Sequence, residues 1–175
     1  MVAPERCSNV SMVPGWHPMV VHFPIALTLT AGLALIAARI VPNASLAETL
    51  ATIGTWNLCA GAVAALFALA TGLAAVLDLE VGAATRAAVS THVKWAMFTS
   101  MALILASVWR AAGSAARSRP SWLFVAVLSA ICTALSATGY FGGANVYRYG
   151  VGVERAGYAD GRPRLEDAGR DRVAP

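Results

Sequence analysis

The sequence predicts an all-α integral membrane protein, an up-down bundle of four helices. Three observations predict it. The 175-residue chain is 58% hydrophobic and only 13% charged, with a mean hydropathy of +0.63. Soluble domains carry about 25% charged residues. Second, Asp, Glu, Lys and Arg are absent from Cys7 to Ala38, Thr49 to Leu77, Trp95 to Trp109 and Pro120 to Tyr147. A bilayer crossing takes about 20 mostly apolar residues. Third, the tryptophans fall at two levels if these stretches alternate in direction, as the amphipathic indole requires.

Each element follows from this pattern. The first helix is expected over about 19–39, the second over 54–77, the third over 89–110 and the fourth over 121–142. The third reaches span length by extending back past Lys94, whose stem can snorkel. Loops of this length join antiparallel neighbours, so residues 19–147 form the membrane domain. Residues 1–18 precede it. The tail, 148–175, is polar, with the composition of a segment lacking a core. The first apolar run is longer than the ~7–15 residues of a signal-peptide core, so it reads as an uncleaved helix.

With both termini on one side (side A), Trp56, Trp109 and Trp122 fall on the other (side B), and Trp16 and Trp95 near side A. Small residues four apart, Gly61 with Ala65 and Ser129 with Thr133 and Ala137, mark faces where helices approach closely. "GYFGG" at Gly139–Gly143 is expected to end the fourth helix. Cations near the helices are balanced between the two sides; Arg110, Arg117 and Arg119 crowded on side B favour that side as cytoplasmic and the termini as periplasmic, while the basic tail argues the other way. The net charge of +4 lies mostly in loops and tail and makes no case for nucleic acid.

The chain's three histidines, His17, His22 and His92, all fall near side A. His22 and His92 lie a few residues inside the first and third helices, which run the same way and can sit diagonally across a bundle. Two imidazoles facing each other there are candidate axial ligands of a haem b, or ligands of another metal. His17 is the alternative ligand or a partner of one. Five residues apart, His17 and His22 point about 140° apart, so one iron does not take both from the same side. Arg86, Lys94 and Arg148 are candidates for pairing with haem propionates, and Asp78 for orienting a histidine N–H.

Copper is the other metal to weigh, because Cys7, Met12, Met19, Met97 and Met101 also lie towards side A. Met97 and Met101, four apart, read equally as core packing. Cys59 and Cys132 read as small apolar packing residues. No CxxC, CxxCH, GxSxG, HExxH, Walker or dinucleotide motif occurs, so nothing marks a stand-alone enzyme.

Three stretches resemble a known family. "HPMVVHFPIAL" at His17–Leu27, "THVKW" at Thr91–Trp95 and "GYFGGANVYRYGVGV" at Gly139–Val153 are similar to the bacterial membrane family catalogued as domain of unknown function 2231. The matching positions are His17, Pro18, His22, Pro24, His92, Gly142, Gly143, Tyr147, Gly150 and Gly152. Many relatives carry His where this chain has Tyr149. The resemblance implies a four-helix bundle in a bacterial inner membrane. Its members often lie beside, or fused to, cytochrome-like modules. The function expected is a haem-binding electron-transfer subunit, working between a redox enzyme or cytochrome and the quinone pool. The alternatives are a cofactor-free anchor or assembly subunit, alone or oligomeric, and a small metal-handling or transport protein.

Overall fold

The computed structural model describes residues 16–77, 79, 81–112 and 118–152. The described chain is helical: α1 Trp16–Val20, α2 His22–Ile40, α3 Ala44–Leu77, α4 Ala83–Ala111 and α5 Trp122–Tyr149.

Helices α1 and α2 form one rod. Val21 between them keeps helical angles (φ −62°, ψ −22°), and its N–H still reaches the His17 carbonyl at 3.1 Å. The interruption traces to Pro24, which has no N–H to offer the Val20 carbonyl. The rod's 25 residues span about 38 Å.

Three boundaries differ from expectation. Helix α3 begins at Ala44 rather than near residue 54, leaving only Val41–Asn43 as a turn. Asn43 caps it, its side-chain oxygen accepting from the Leu46 N–H at 2.9 Å. The polar residues that suggested a loop satisfy themselves within the helix: Thr49, Thr52 and Asn57 donate to the carbonyls of Ser45, Glu48 and Ile53. Helix α4 begins at Ala83 rather than near 89.

Helix α5 runs through "GYFGG" to Tyr149, so those glycines do not end it. It stops at Gly150, in the left-handed conformation (φ 66°) that ends many helices. The N–H groups of Gly150 and Val151 fold back onto the Val146 and Asn145 carbonyls. At the other end, the Ser121 hydroxyl accepts from the Phe124 N–H at 3.1 Å. Beyond residue 152 the expected tail lies outside the described residues, as do 1–15.

Among the described residues, three helices are long and apolar enough to cross a membrane: Trp16–Ile40, Ala44–Leu77 and Trp122–Tyr149. The expected fourth, α4, has 29 residues but falls short in apolarity. Its first half carries Thr85, Arg86, Ser90, Thr91, His92 and Lys94. It nevertheless completes the bundle. Helices α2 and α4 each pack on α3 and α5, and not along one another, so α2 and α4 are diagonal.

All four long helices meet along seams of spacing 3 and 4, the mark of near-parallel knobs-into-holes packing. On α3 the seam is Ala47, Ala51, Gly54, Leu58, Gly61, Ala65 and Ala68. On α2 it is Pro24, Thr28, Ala31, Leu35 and Ala38. Small residues let these two helices close up. A methyl on Gly54 would sit 2.6 Å from Leu35 Cγ, and one on Gly61 would sit 2.9 Å from Thr28 Oγ1. The buried cluster of Leu35, Leu58, Leu103, Phe124, Leu128 and Ile131 fills the centre.

The Gly61–Ala65 face is therefore a packing face. The Ser129–Thr133–Ala137 face is not: Ser129 and Thr133 are exposed, with hydroxyls bonded to carbonyls of their own helix. Outward side chains are large and apolar, among them Leu33, Phe67, Phe98, Leu105 and Leu123. A helical membrane bundle needs such a surface in contact with lipid.

Candidate functional site: two histidines across the bundle

The seams lead to the site. One heptad step before Pro24 on α2 lies His17, and one before Thr99 on α4 lies His92. Both histidines thus project from the core stripe of diagonal helices, at the end of the bundle where α1 and α4 begin. Their ring centres are 6.5 Å apart, with planes inclined at 72°.

Each ring is held in the same way. His17 Nδ1 donates to the Ala68 carbonyl at 3.0 Å, with Thr71 Oγ1 at 3.3 Å, and its Cε1 leans on Gly72. His92 Nδ1 donates to the Thr138 carbonyl at 3.1 Å, and its Cε1 leans on Gly142. In both cases the glycine lies four residues beyond the accepting carbonyl. A methyl would stand 2.7 Å from His17 Cε1 at Gly72 and 3.0 Å from His92 Cε1 at Gly142. Only residues without Cβ let the imidazoles settle into these grooves.

A carbonyl only accepts, so Nδ1 of each ring carries the proton. In the neutral ring Nε2 is then the lone-pair nitrogen, the form in which histidine binds metals. Among the described residues, no hydrogen bond engages either Nε2. A carbonyl on Nδ1–H is also the usual device for orienting a metal-ligating imidazole. Below the rings, Thr99 and Thr138 hydroxyls meet at 3.1 Å.

The structure pairs His92 with His17, not with His22. His22 is exposed, turned away from the seam. The expected separation of the two N-terminal histidines holds, but the inward one is His17. The other candidates lie elsewhere. Arg86 and Lys94 are exposed on α4. Arg86 borders a cleft of about 240 Å³ with Val76, Leu79, Val81, Val89, Ser90 and Val93. Arg148 donates to Tyr140 Oη at 3.4 Å, and Tyr149 is exposed. Asp78, Cys7 and Met12 lie outside the described residues. Met19, Met97 and Met101 are exposed, so Met97 and Met101 are not core packing residues. Cys59 and Cys132 are free thiols, partly buried in the helix packing.

The family model for predicted membrane proteins of the DUF2231 type matches residues 14–155. The chain belongs to the DUF2231 family. No curated protein and no solved structure matches it. In this DUF2231 protein the match begins just before His17 and ends just after Gly152, so it takes in both histidines, both glycines and the left-handed end of α5.

The donor set can be tested against the metals considered. Among the described residues no three of His, Cys, Asp and Glu gather at one point. A protein-only zinc site takes three or four such donors. A haem iron needs only one or two, because the macrocycle supplies the rest. With two imidazoles and no third donor at this point among the described residues, His17 and His92 are the residues that would hold such a group.

Sequence reasoning missed Ala68, Thr71, Gly72 and Thr138. The signal for them was present in Gly72, which continues the small-residue seam of α3, and in Gly142, four residues beyond the buried Thr138 on α5.

Proposed function

We propose that this DUF2231 protein is an electron-transfer subunit of a bacterial inner membrane that holds one haem b through His17 and His92. The observation that carries the reading is the matched pair of imidazoles, each with Nδ1 tied to a backbone carbonyl. A bound haem supplies one-electron chemistry. The chain's residues do the rest. Ala68 and Thr138 fix the tautomer and tilt of the rings. Gly72 and Gly142 let them approach. Gly54 and Gly61 let α2 and α3 close up. The redox partners on this reading are a cytochrome or redox enzyme and the quinone pool. On this reading the arginines at side B favour the cytoplasm for that side and the periplasm for the termini.

One observation favours a second reading, a cofactor-free anchor or assembly subunit. Clefts of about 220 and 240 Å³ are present, and neither is lined by His17 or His92. Ligand pockets are usually about 300–1,000 Å³.

The two readings separate in a reduced-minus-oxidised absorption spectrum of protein purified in detergent from haem-replete cells. Haem bands are expected in the wild type and in His22→Ala, and lost in His17→Ala and His92→Ala. A colourless wild type overturns the haem reading in favour of the anchor. Bands that survive loss of both His17 and His92 overturn the ligand assignment.

A further inference from the structure

The two imidazoles rest on the same backbone construction but not on the same side chains. Counting from the accepting carbonyl, α3 offers Ala68, Thr71 and Gly72, and α5 offers Thr138, Phe141 and Gly142. The carbonyls and the glycines match position for position. The residue three beyond the carbonyl does not: it is a threonine on α3 and a phenylalanine on α5.

That difference changes the surroundings of Nδ1. Thr71 Oγ1 lies 3.3 Å from His17 Nδ1. The same hydroxyl lies 3.0 Å from the Phe67 carbonyl and 3.1 Å from the Ala68 carbonyl of its own helix. Its single proton goes to one of those carbonyls, and an oxygen lone pair is left for the imidazole N–H. The Nδ1–H of His17 is therefore shared between two acceptors, the Ala68 carbonyl at 3.0 Å and the Thr71 hydroxyl at 3.3 Å.

His92 is held more simply. Among the described residues its Nδ1 has the Thr138 carbonyl alone, at 3.1 Å. Phe141 has no acceptor to offer and packs on Trp95, with ring centres 5.8 Å apart. The Thr138 hydroxyl is engaged elsewhere, with the Ala134 carbonyl and the Thr99 hydroxyl.

We infer that Thr71 is a positioning residue that makes His17 the more strongly polarised of the two imidazoles. A second acceptor draws the Nδ1 proton outward and leaves more electron density at Nε2. It also holds the ring from two directions, through a carbonyl and a side chain of the same turn of α3. On the haem reading, on which this consequence rests, His17 is the stronger electron donor of the two ligands and favours the oxidised iron.

The test uses the full chain in detergent with isotope-labelled histidine, followed by nuclear magnetic resonance. The three histidines are assigned from His17→Ala, His22→Ala and His92→Ala. Thr71→Val keeps the shape of the side chain and removes the hydroxyl, whereas Thr71→Ser keeps the hydroxyl. In protein from haem-depleted cells, the Nδ1–H of His17 should exchange with water about two- to fivefold faster in Thr71→Val, the factor expected for losing a weak neutral hydrogen bond. The wild-type rate should return in Thr71→Ser, and the rate at His92 should stay constant throughout. In haem-loaded protein the midpoint potential should rise in Thr71→Val and not in Thr71→Ser. An unchanged His17 rate in Thr71→Val, a rate that Thr71→Ser does not restore, or an equal change at both histidines overturns the role of Thr71. A faster rate with an unmoved potential overturns the inequality of the two ligands. A wild type that takes up no haem overturns the haem reading instead, and the exchange rates still decide whether Thr71 holds His17.

Discussion

Three glycines within one turn and a half of α5 provide a controlled experiment on the histidine site. A methyl added at Gly139 or Gly143 meets nothing within 4 Å, whereas at Gly142 it would lie 3.0 Å from His92 Cε1. All three positions are helical, so Gly→Ala gains about 1 kcal/mol of helix propensity at each. At Gly142 that gain is opposed. The ring must move, and overpacking a fitted site costs about 1–3 kcal/mol. Displacing the ring also weakens the bond from Nδ1 to Thr138, worth about 0.5–1.5 kcal/mol. Gly139→Ala and Gly143→Ala should therefore raise stability by up to about 1 kcal/mol, while Gly142→Ala lowers it by about 1–2 kcal/mol.

The assay is reversible unfolding in mixed micelles, followed by circular dichroism. A His92→Ala background removes the clash, so Gly142→Ala there should behave like its neighbours, leaving a coupling of about 2 kcal/mol between the two sites. If Gly142→Ala is as benign as Gly139→Ala in the wild-type chain, His92 does not rest on this glycine, and the account of how the ring is held fails.

Three further outcomes follow from the packing. Gly54→Ala drives a methyl into Leu35, which is fully buried, and should cost about 1–3 kcal/mol in the same unfolding assay. Thr28→Val replaces a buried hydroxyl that has no partner with a methyl of the same shape, and should leave stability unchanged or raise it by up to about 1 kcal/mol. Gly150→Ala forces a side chain into the left-handed region at the end of α5 and should cost about 1–2 kcal/mol, seen as lost helicity at that terminus by hydrogen exchange. An equal or higher unfolding midpoint for Gly54→Ala, or a large loss for Thr28→Val, would contradict the helix contacts described.

The fold class was legible because charge avoids lipid, and a membrane leaves the backbone few options beyond helices. The diagonal placement of the first and third long helices was legible from short loops alone. Rotation about each helix axis was harder. Depth puts His17 and His22 equally near side A, and choosing between them requires the direction of the core stripe. That direction is written in small residues rather than large ones: Pro24, Thr28, Ala31, Leu35 and Ala38 step back by three and four to Val21 and His17, bypassing His22. In a soluble helix the stripe is apolar against polar and easily seen. In lipid both faces are apolar, and the contrast is one of size. The start of α3 was misread for a related reason. Ser45, Thr49 and Thr52 look like loop residues, yet hydroxyls bonding back to their own helix are at home there. "GYFGG" misled because glycine ends helices and also opens grooves, and here Gly142 does the second.

The two histidines repeat one construction. In the first hairpin, a histidine on α1 reaches a carbonyl and a glycine on α3; in the second, a histidine on α4 reaches a carbonyl and a glycine on α5. Each hairpin thus satisfies its own imidazole, and satisfying it takes only Nδ1. For bundle stability that bond is enough: a buried polar group needs its hydrogen bond, and the ring's remaining surface is packed against a glycine. Stability alone therefore explains neither why both residues are imidazoles nor why the two rings meet across the bundle at 6.5 Å. A simple amide or hydroxyl donor would meet the structural need at either position. What histidine adds is a second nitrogen, which in the neutral ring protonated at Nδ1 is an acceptor. That nitrogen occurs twice, once from each hairpin, at the same end of the bundle, and the haem proposal rests on this repetition.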